Sequence, residues 1–162
     1  MLNVQNNKIT PFLWFDDNAE EAIDFYSSVF KNGRTLNITR YGDGAPFPKG
    51  TLMSATFELE GQRFMALNAG PHFKFNEAVS FFVNCTSQEE VDDLWEKLTA
   101  DGGKPGRCGW LKDKFGLSWQ IVPTVLGELM GDKDGRKAGN VSRALMGMDK
   151  IDIQALKDAY EK

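Results

Sequence analysis

Residues 108–123 read CGWLKDKFGLSWQIVP, and the folding of this stretch decides the reading of the rest. It divides into two short strands around a tight turn. Trp110 and Lys112 share one side of the first strand. On the second, Leu117, Trp119 and Ile121 share a face, with Ser118, Gln120 and Val122 opposite, as a period of two requires. Gly116 supplies the turn's permissive φ, and Pro123 ends the ladder because it has no N–H to give. Gln120 sits in the middle of an otherwise apolar strand. An amide there must find hydrogen-bond partners or bind something, which makes Gln120 the first candidate for ligand contact.

Working outward, the hairpin ends a unit whose order of elements occurs twice. Residues 78–84 (AVSFFVN) form an aromatic-rich strand. Thr86-Ser87 then opens a helix with Glu89 and Glu90 in its first turn and Val91, Leu94, Trp95 and Leu98 as its apolar stripe. Residues 100–106 break it, and a short strand near 106–109 leads into the hairpin. Upstream, residues 9–15 (ITPFLWF) form a strand, and Asp16-Asp17-Asn18 offer N-caps to a helix with Glu20 and Glu21 in its first turn. Ala19, Ala22, Ile23, Tyr26, Val29 and Phe30 recur at helical spacing, toward a stop at Gly33. Strands over 35–41, 51–59 and 62–68 follow, the last two joined by a hairpin turn at Glu60-Gly61. Each half is thus β-α-β-β-β and alone leaves a sheet face uncovered. The expected fold is α+β: two βαβββ modules, about residues 8–70 and 76–123, forming a curved mixed sheet around a cavity in one domain, 1–123.

Residues 124–162 differ in composition and read as a helical extension. One turn around Leu126, Leu129 and Met130 precedes a polar loop at 131–139. Short helices follow over 141–148 and 151–160, the second capped by Asp149 or Asp152. This tail is expected to pack across the sheet edge or onto a partner subunit.

The bulk numbers fit a compact chain. Of 162 residues, 41% are hydrophobic and 26% charged, enough for one full core. A net charge of −4 and the lack of a basic cluster interleaved with aromatics argue against nucleic acid. The start, MLNVQNNKITPF, has no basic or apolar leader segment, and no window reaches the roughly 18 apolar residues of a membrane span. Cys85 and Cys108 lie far apart and form no CxxC, so reduced cytoplasmic thiols are expected.

Residues 9–26 (ITPFLWFDDNAEEAIDFY), 64–75 (FMALNAGPHFKF), 78–85 (AVSFFVNC) and 108–127 (CGWLKDKFGLSWQIVPTVLG) resemble the PhnB-like proteins of the vicinal oxygen chelate superfamily. That superfamily also holds glyoxalase I, bleomycin-resistance proteins and extradiol dioxygenases. The tail resembles the same subgroup, whose members often carry the label 3-demethylubiquinone-9 3-methyltransferase. The resemblance implies a glyoxalase-like fold and a homodimer, with the tail as a candidate contact. It also implies metal ligands from the first and last strands of each module, His or Gln early and Glu late. Those positions map to Thr10 and Ala66 in the first module and to about Val79 and Gln120 in the second. Thr, Ala and Val are not ligands, and a divalent ion needs three or four good donors, so neither a metal nor another cofactor is expected. The methyltransferase label requires a glycine-rich loop between a strand and a helix. Asp16-Asp17-Asn18 and Asn84-Cys85-Thr86-Ser87 contain no glycine.

The remaining candidates are few. His72, the single histidine, is a candidate general acid or base, or else a loop residue that packs locally. Asn68 has the parity of Ala66 and so would face the cavity to grip a carbonyl or phosphate, or else would satisfy the strand end. Phe12 and Trp14 have the parity of Thr10 and would line an aromatic wall with Phe81, suited to a flat or apolar ligand. Trp110 and Asp113 would form a rim, Asp113 reading first as a turn residue. Arg107 beside Cys108 would activate the thiol only if both pointed the same way, which a strand forbids. Cys85 reads as a small core residue, and Asp16, Asp17, Glu20 and Glu21 as helix N-terminal charge.

The expected function is the binding or sequestering of a small molecule in the cavity without metal, as the bleomycin-resistance branch implies. Two alternatives stand beside it. One is a lyase, isomerase or dioxygenase-type enzyme with a non-standard site around Asn68, His72 and Gln120. The other is a structural homodimer with a vestigial cavity.

Overall fold

The computed structural model describes residues 8–162. Residues 1–7, on which much of the leader reading rests, lie outside them. The described residues divide into two compact units, the first ending at Lys74 and the second Phe75–Lys162.

The first unit runs β1 (Phe12–Phe15), α1 (Ala19–Val29), β2 (Arg34–Arg40), β3 (Leu52–Leu59) and β4 (Gln62–Asn68). Its sheet has the order β1-β4-β3-β2, parallel between β1 and β4 and antiparallel elsewhere. One face is mostly apolar. Leu13, Phe15, Ala55, Phe57, Leu59, Phe64 and Ala66 are buried, as are Ala19, Ala22, Ile23 and Tyr26 of α1. Each large side chain so covered stabilises the unit by about 1.5–3 kcal/mol. Glu60 (φ 47°) and Gly61 (φ 81°) take consecutive left-handed conformations, the pattern of a two-residue hairpin turn. Strand β1 begins at Phe12, later than residue 9. Met65 N–H donates to the Pro11 carbonyl at 2.9 Å, but Pro11 has no N–H with which to extend the ladder. Helix α1 stops at Val29, short of Gly33, and Lys31 N–H is taken by Glu60 Oε1 at 2.8 Å.

The second unit repeats the plan with β5 (Phe81–Cys85), α2 (Gln88–Thr99), β6 (Lys104–Pro105), β7 (Trp110–Lys112) and β8 (Ser118–Pro123). The sheet order is β5-β8-β7-β6, with β5 and β8 parallel and the others antiparallel. The predicted βαβββ duplication is therefore present, strand for strand. Ser87 caps α2 by accepting from Glu90 N–H at 3.2 Å, and Glu90 Oε2 reaches back to Thr86 N–H at 2.7 Å. The strand expected near 106–109 lies instead at Lys104–Pro105. Cys108 (φ 56°) and Gly109 (φ 85°) are both left-handed, which an extended strand cannot contain. A Cβ on Gly109 would lie 2.8 Å from the Ile121 carbonyl oxygen and 2.9 Å from Ile151 Cδ1, so only glycine fits.

Helices α3 (Thr124–Met130), α4 (Gly135–Met146) and α5 (Ile153–Tyr160) complete this unit. Helix α4 starts inside the expected polar loop because Asp134 caps it, accepting from Arg136 and Lys137 N–H. Asp152 caps α5 through Ala155 N–H. The tail shares a core with its own unit, made of Val122, Leu126, Val141, Ile151 and Leu156. Backbone hydrogen bonds join it to the chain before β7: Cys108 N–H to Met148 O at 2.8 Å and Gly109 N–H to Asp149 O at 2.7 Å. Gln88 adds two more, donating to Ile151 O at 3.1 Å and accepting from Ile153 N–H at 2.8 Å. Among the described residues no helix is long and apolar enough to cross a membrane.

Candidate functional site

Register decides which side chains are available to a ligand. In the first sheet, Phe12 stands opposite Met65 and Trp14 opposite Leu67, while Leu13 stands opposite Ala66 and Phe15 opposite Asn68. Phe12, Trp14, Met65 and Leu67 therefore share the open face, continued by Thr56 and Ser54 of β3. Trp14 is held there by its Nε1–H donating to the Gly70 carbonyl at 2.9 Å and by an edge contact with Phe73, ring centroids 4.9 Å apart. Exposed His72 lies beside it, with centroids 6.4 Å apart and its backbone N–H on Gly70 O.

Asn68 does not face that side. It is 1% exposed and lies on the helix face, where its Oδ1 accepts from Ala19 N–H at 2.8 Å and its Nδ2 donates to the Leu52 carbonyl at 3.0 Å. Tyr41 Oη donates to the Asn68 backbone carbonyl at 2.7 Å. Asn68 is a long-range cap for α1, in place of Asn18, which makes no side-chain cap. The parity argument fails at Ala66, which is fully buried against the helix side and cannot share a face with Thr10. Two members of the acidic cluster form pairs, Asp16 with Lys74 and Glu20 with Arg40. The Arg40 hydrogen bond holds the Glu20 carboxyl below its usual range.

In the second sheet, Gln120 of β8 stands opposite Trp110 of β7 and Phe82 of β5. The three form one row on the open face, an amide between two aromatic rings. Gln120 Nε2 donates to Ser80 Oγ at 2.9 Å, and its Oε1 accepts from none of the described residues. Phe81, expected in the wall, lies on the helix face instead, with its ring 5.5 Å from that of Trp119. Phe82 takes the open position and is 54% exposed. Where β5 enters the ladder fixes this choice, and two adjacent phenylalanines in the sequence cannot reveal it. Asp113 is no rim residue. It is 3% exposed, and its carboxylate accepts from Phe115 and Leu117 N–H and from Trp119 Nε1 at 2.8–3.0 Å, tying the turn. Cys108 Sγ is directed at the Leu145 carbonyl of the tail, 3.5 Å away.

The donor set can be tested against the metal that the fold family implies. Of the four mapped positions, Ala66 is buried on the wrong face and Val79 lies before β5 begins. Their open-face neighbours are Met65, Leu67, Ser80 and Phe82. Among the described residues no three of His, Cys, Asp and Glu converge. These side chains do not fit a divalent-ion site of three or four good donors.

Comparison with known proteins follows this geometry. The family described as 3-demethylubiquinone-9 3-methyltransferase matches residues 7–122. A solved structure from Bacillus cereus, described as a 3-demethylubiquinone-9 3-methyltransferase, PhnB protein, is 39% identical with a TM-score of 0.67. The match covers 72% of this chain and 99% of that one. A protein from Pseudomonas aeruginosa (24% identity, TM-score 0.60) shares the fold over 71% of this chain and 96% of its own. A genomically encoded fosfomycin resistance protein from Listeria monocytogenes (15% identity, TM-score 0.53) does so over 74% and 94%. No curated protein matches the chain.

Proposed function

The chain belongs to the PhnB-like family described as 3-demethylubiquinone-9 3-methyltransferase, within the vicinal oxygen chelate superfamily, and on that premise we propose that it binds a small molecule on the open face of its second sheet, without a resident metal. The description is the family's name and assigns no activity. Each sheet mixes parallel and antiparallel strands, and neither strand-to-helix crossing carries a glycine, so a doubly wound cofactor site has no counterpart among the described residues.

The observation that supports binding is the row Phe82, Gln120 and Trp110. Two rings flanking an amide accept a flat ligand by stacking, and Gln120 Oε1 is available to one ligand donor. A titration of the purified chain with neutral ring compounds, followed by tryptophan fluorescence, tests this. Trp110→Ala and Gln120→Ala are each expected to weaken binding about tenfold or more, with the far-ultraviolet circular dichroism unchanged. Stoichiometric retention of a divalent ion, lost in Gln120→Ala, would replace the metal-free reading.

We infer further that a second copy of the chain is its protein partner, a reading supported by edge strand β2. All seven of its residues are exposed, including Leu36 and Ile38, each at 40%. A long edge strand with apolar side chains is a ready surface for pairing.

A further inference from the structure

One strand row away from Gln120, the second unit has a hollow of about 240 Å³ lined by Glu77, Lys104, Trp110, Lys112 and Ser118 among others. Lys104 and Lys112 stand directly opposite each other on β6 and β7, and Lys112 stands opposite Ser118 on β8. The Ser118 side chain is 1% exposed, yet its hydroxyl has no hydrogen-bond partner among the described residues. A buried orphan hydroxyl costs about 1–3 kcal/mol, so it marks a place where a partner is expected. Glu77 pairs with Lys112 and is itself 63% exposed. Two lysines and one glutamate among the lining residues give a net charge of +1, which balances a monoanion.

We propose that this hollow receives the carboxylate of a small ring-bearing monoanion whose ring lies against Trp110, so that the row of Gln120 holds the ring and the row of Ser118 holds the charge. Two residues along a strand span about 7 Å, the reach of a one-ring acid. The hollow is also small beside the roughly 300–1,000 Å³ of larger ligand sites. The ammonium groups of Lys104 and Lys112 supply charge, and the Ser118 hydroxyl donates a directed hydrogen bond to a carboxylate oxygen. This inference rests on the binding function proposed above.

Benzoate and its neutral counterpart benzamide separate the two claims when titrated calorimetrically into the full chain. Benzoate is expected to bind about tenfold tighter. Ser118→Ala and Lys104→Met should each remove most of that difference. Ser118→Ala should leave the Tm unchanged or raised, since it deletes an unsatisfied group rather than a native contact. Equal binding of the two probes would overturn the carboxylate site while leaving ring binding intact. A benzoate preference that survives both substitutions would place the anion elsewhere and overturn this hollow. A lowered Tm in Ser118→Ala with no loss of benzoate would assign the hydroxyl to a bound water and overturn its role. If neither probe binds and neutral ring compounds fail as well, the binding function falls with it.

Discussion

At the scale of single residues, two side chains that look chemically suggestive in the sequence are occupied by structure. Asn68 joins the N-terminus of α1 to the end of β4, its amide engaged at both ends. Asn68→Ala would leave Ala19 N–H and Leu52 C=O buried without partners and is expected to cost about 2 kcal/mol in urea unfolding. Asn68→Asp keeps the acceptor for α1 but loses the donor to Leu52, so an intermediate loss is expected. Neither change should alter benzoate affinity. Cys85 is fully buried, and burial first, then the Glu90 carboxylate, pushes its thiol up to about 12 from an ordinary 9. Between those values the unfolded chain releases a proton that the folded chain keeps. Stability therefore falls as pH rises from about 9 to about 12, and at neutral pH this residue contributes no pH dependence. Cys85→Ser should flatten that alkaline decline. Thiol labelling at pH 8 should reach Cys85 only on unfolding, and labelling as fast as that of a free peptide would refute its burial.

At the scale of elements, what was legible is what depends on period and caps. Alternation and apolar or aromatic runs identified the strands other than β6, 3.6-residue spacing identified α1 and α2, and of the helix starts read at Thr86-Ser87 and at Asp149 or Asp152, Ser87 and Asp152 are the caps. Boundaries were lost where a partner strand sets them: β1 waits for β4 past Pro11, and β6 lies upstream of a left-handed turn at Cys108 and Gly109. The same physics limited the site. Trp110 and Gln120 of the proposed site could be read as neighbours because one hairpin carries both. Phe82 was mistaken for Phe81, and Asn68 was assigned to the wrong face, because a slip of one residue reverses a strand. Ser80, Lys104 and Ser118 were not singled out as contacts, since the hollow exists only once β6 has its place. Edge strand β2 carries its own expectation. Light scattering should give a dimer mass, and Ile38→Lys should give a monomer of unchanged circular dichroism. A wild-type chain that stays monomeric would dismiss this pairing surface.

At the scale of the whole chain, duplication is the organising fact: two units each assemble a sheet whose first and last strands lie side by side. That plan was readable because helix starts recur in equivalent places. A metal site was not readable in it, since Gln120 is the one polar amide among the four positions that the superfamily's ligands map to, Thr10, Ala66, Val79 and Gln120. Beside its shared core, the tail is tied to the second unit through its own carbonyls. Carbonyls of Leu145, Met146, Met148, Asp149 and Ile151 accept from Cys108 Sγ, Arg107, Cys108 N–H, Gly109 N–H and Gln88 respectively. Five acceptors are main-chain atoms, which every amino acid supplies alike. Over evolutionary time, spelling is free to drift at exposed Met146 and Asp149, while the core holds Leu145, Met148 and Ile151 to apolar residues; a single inserted or deleted residue between 145 and 151 shifts all five acceptors together. Descendants of this chain should therefore conserve the tail's length more strictly than its letters.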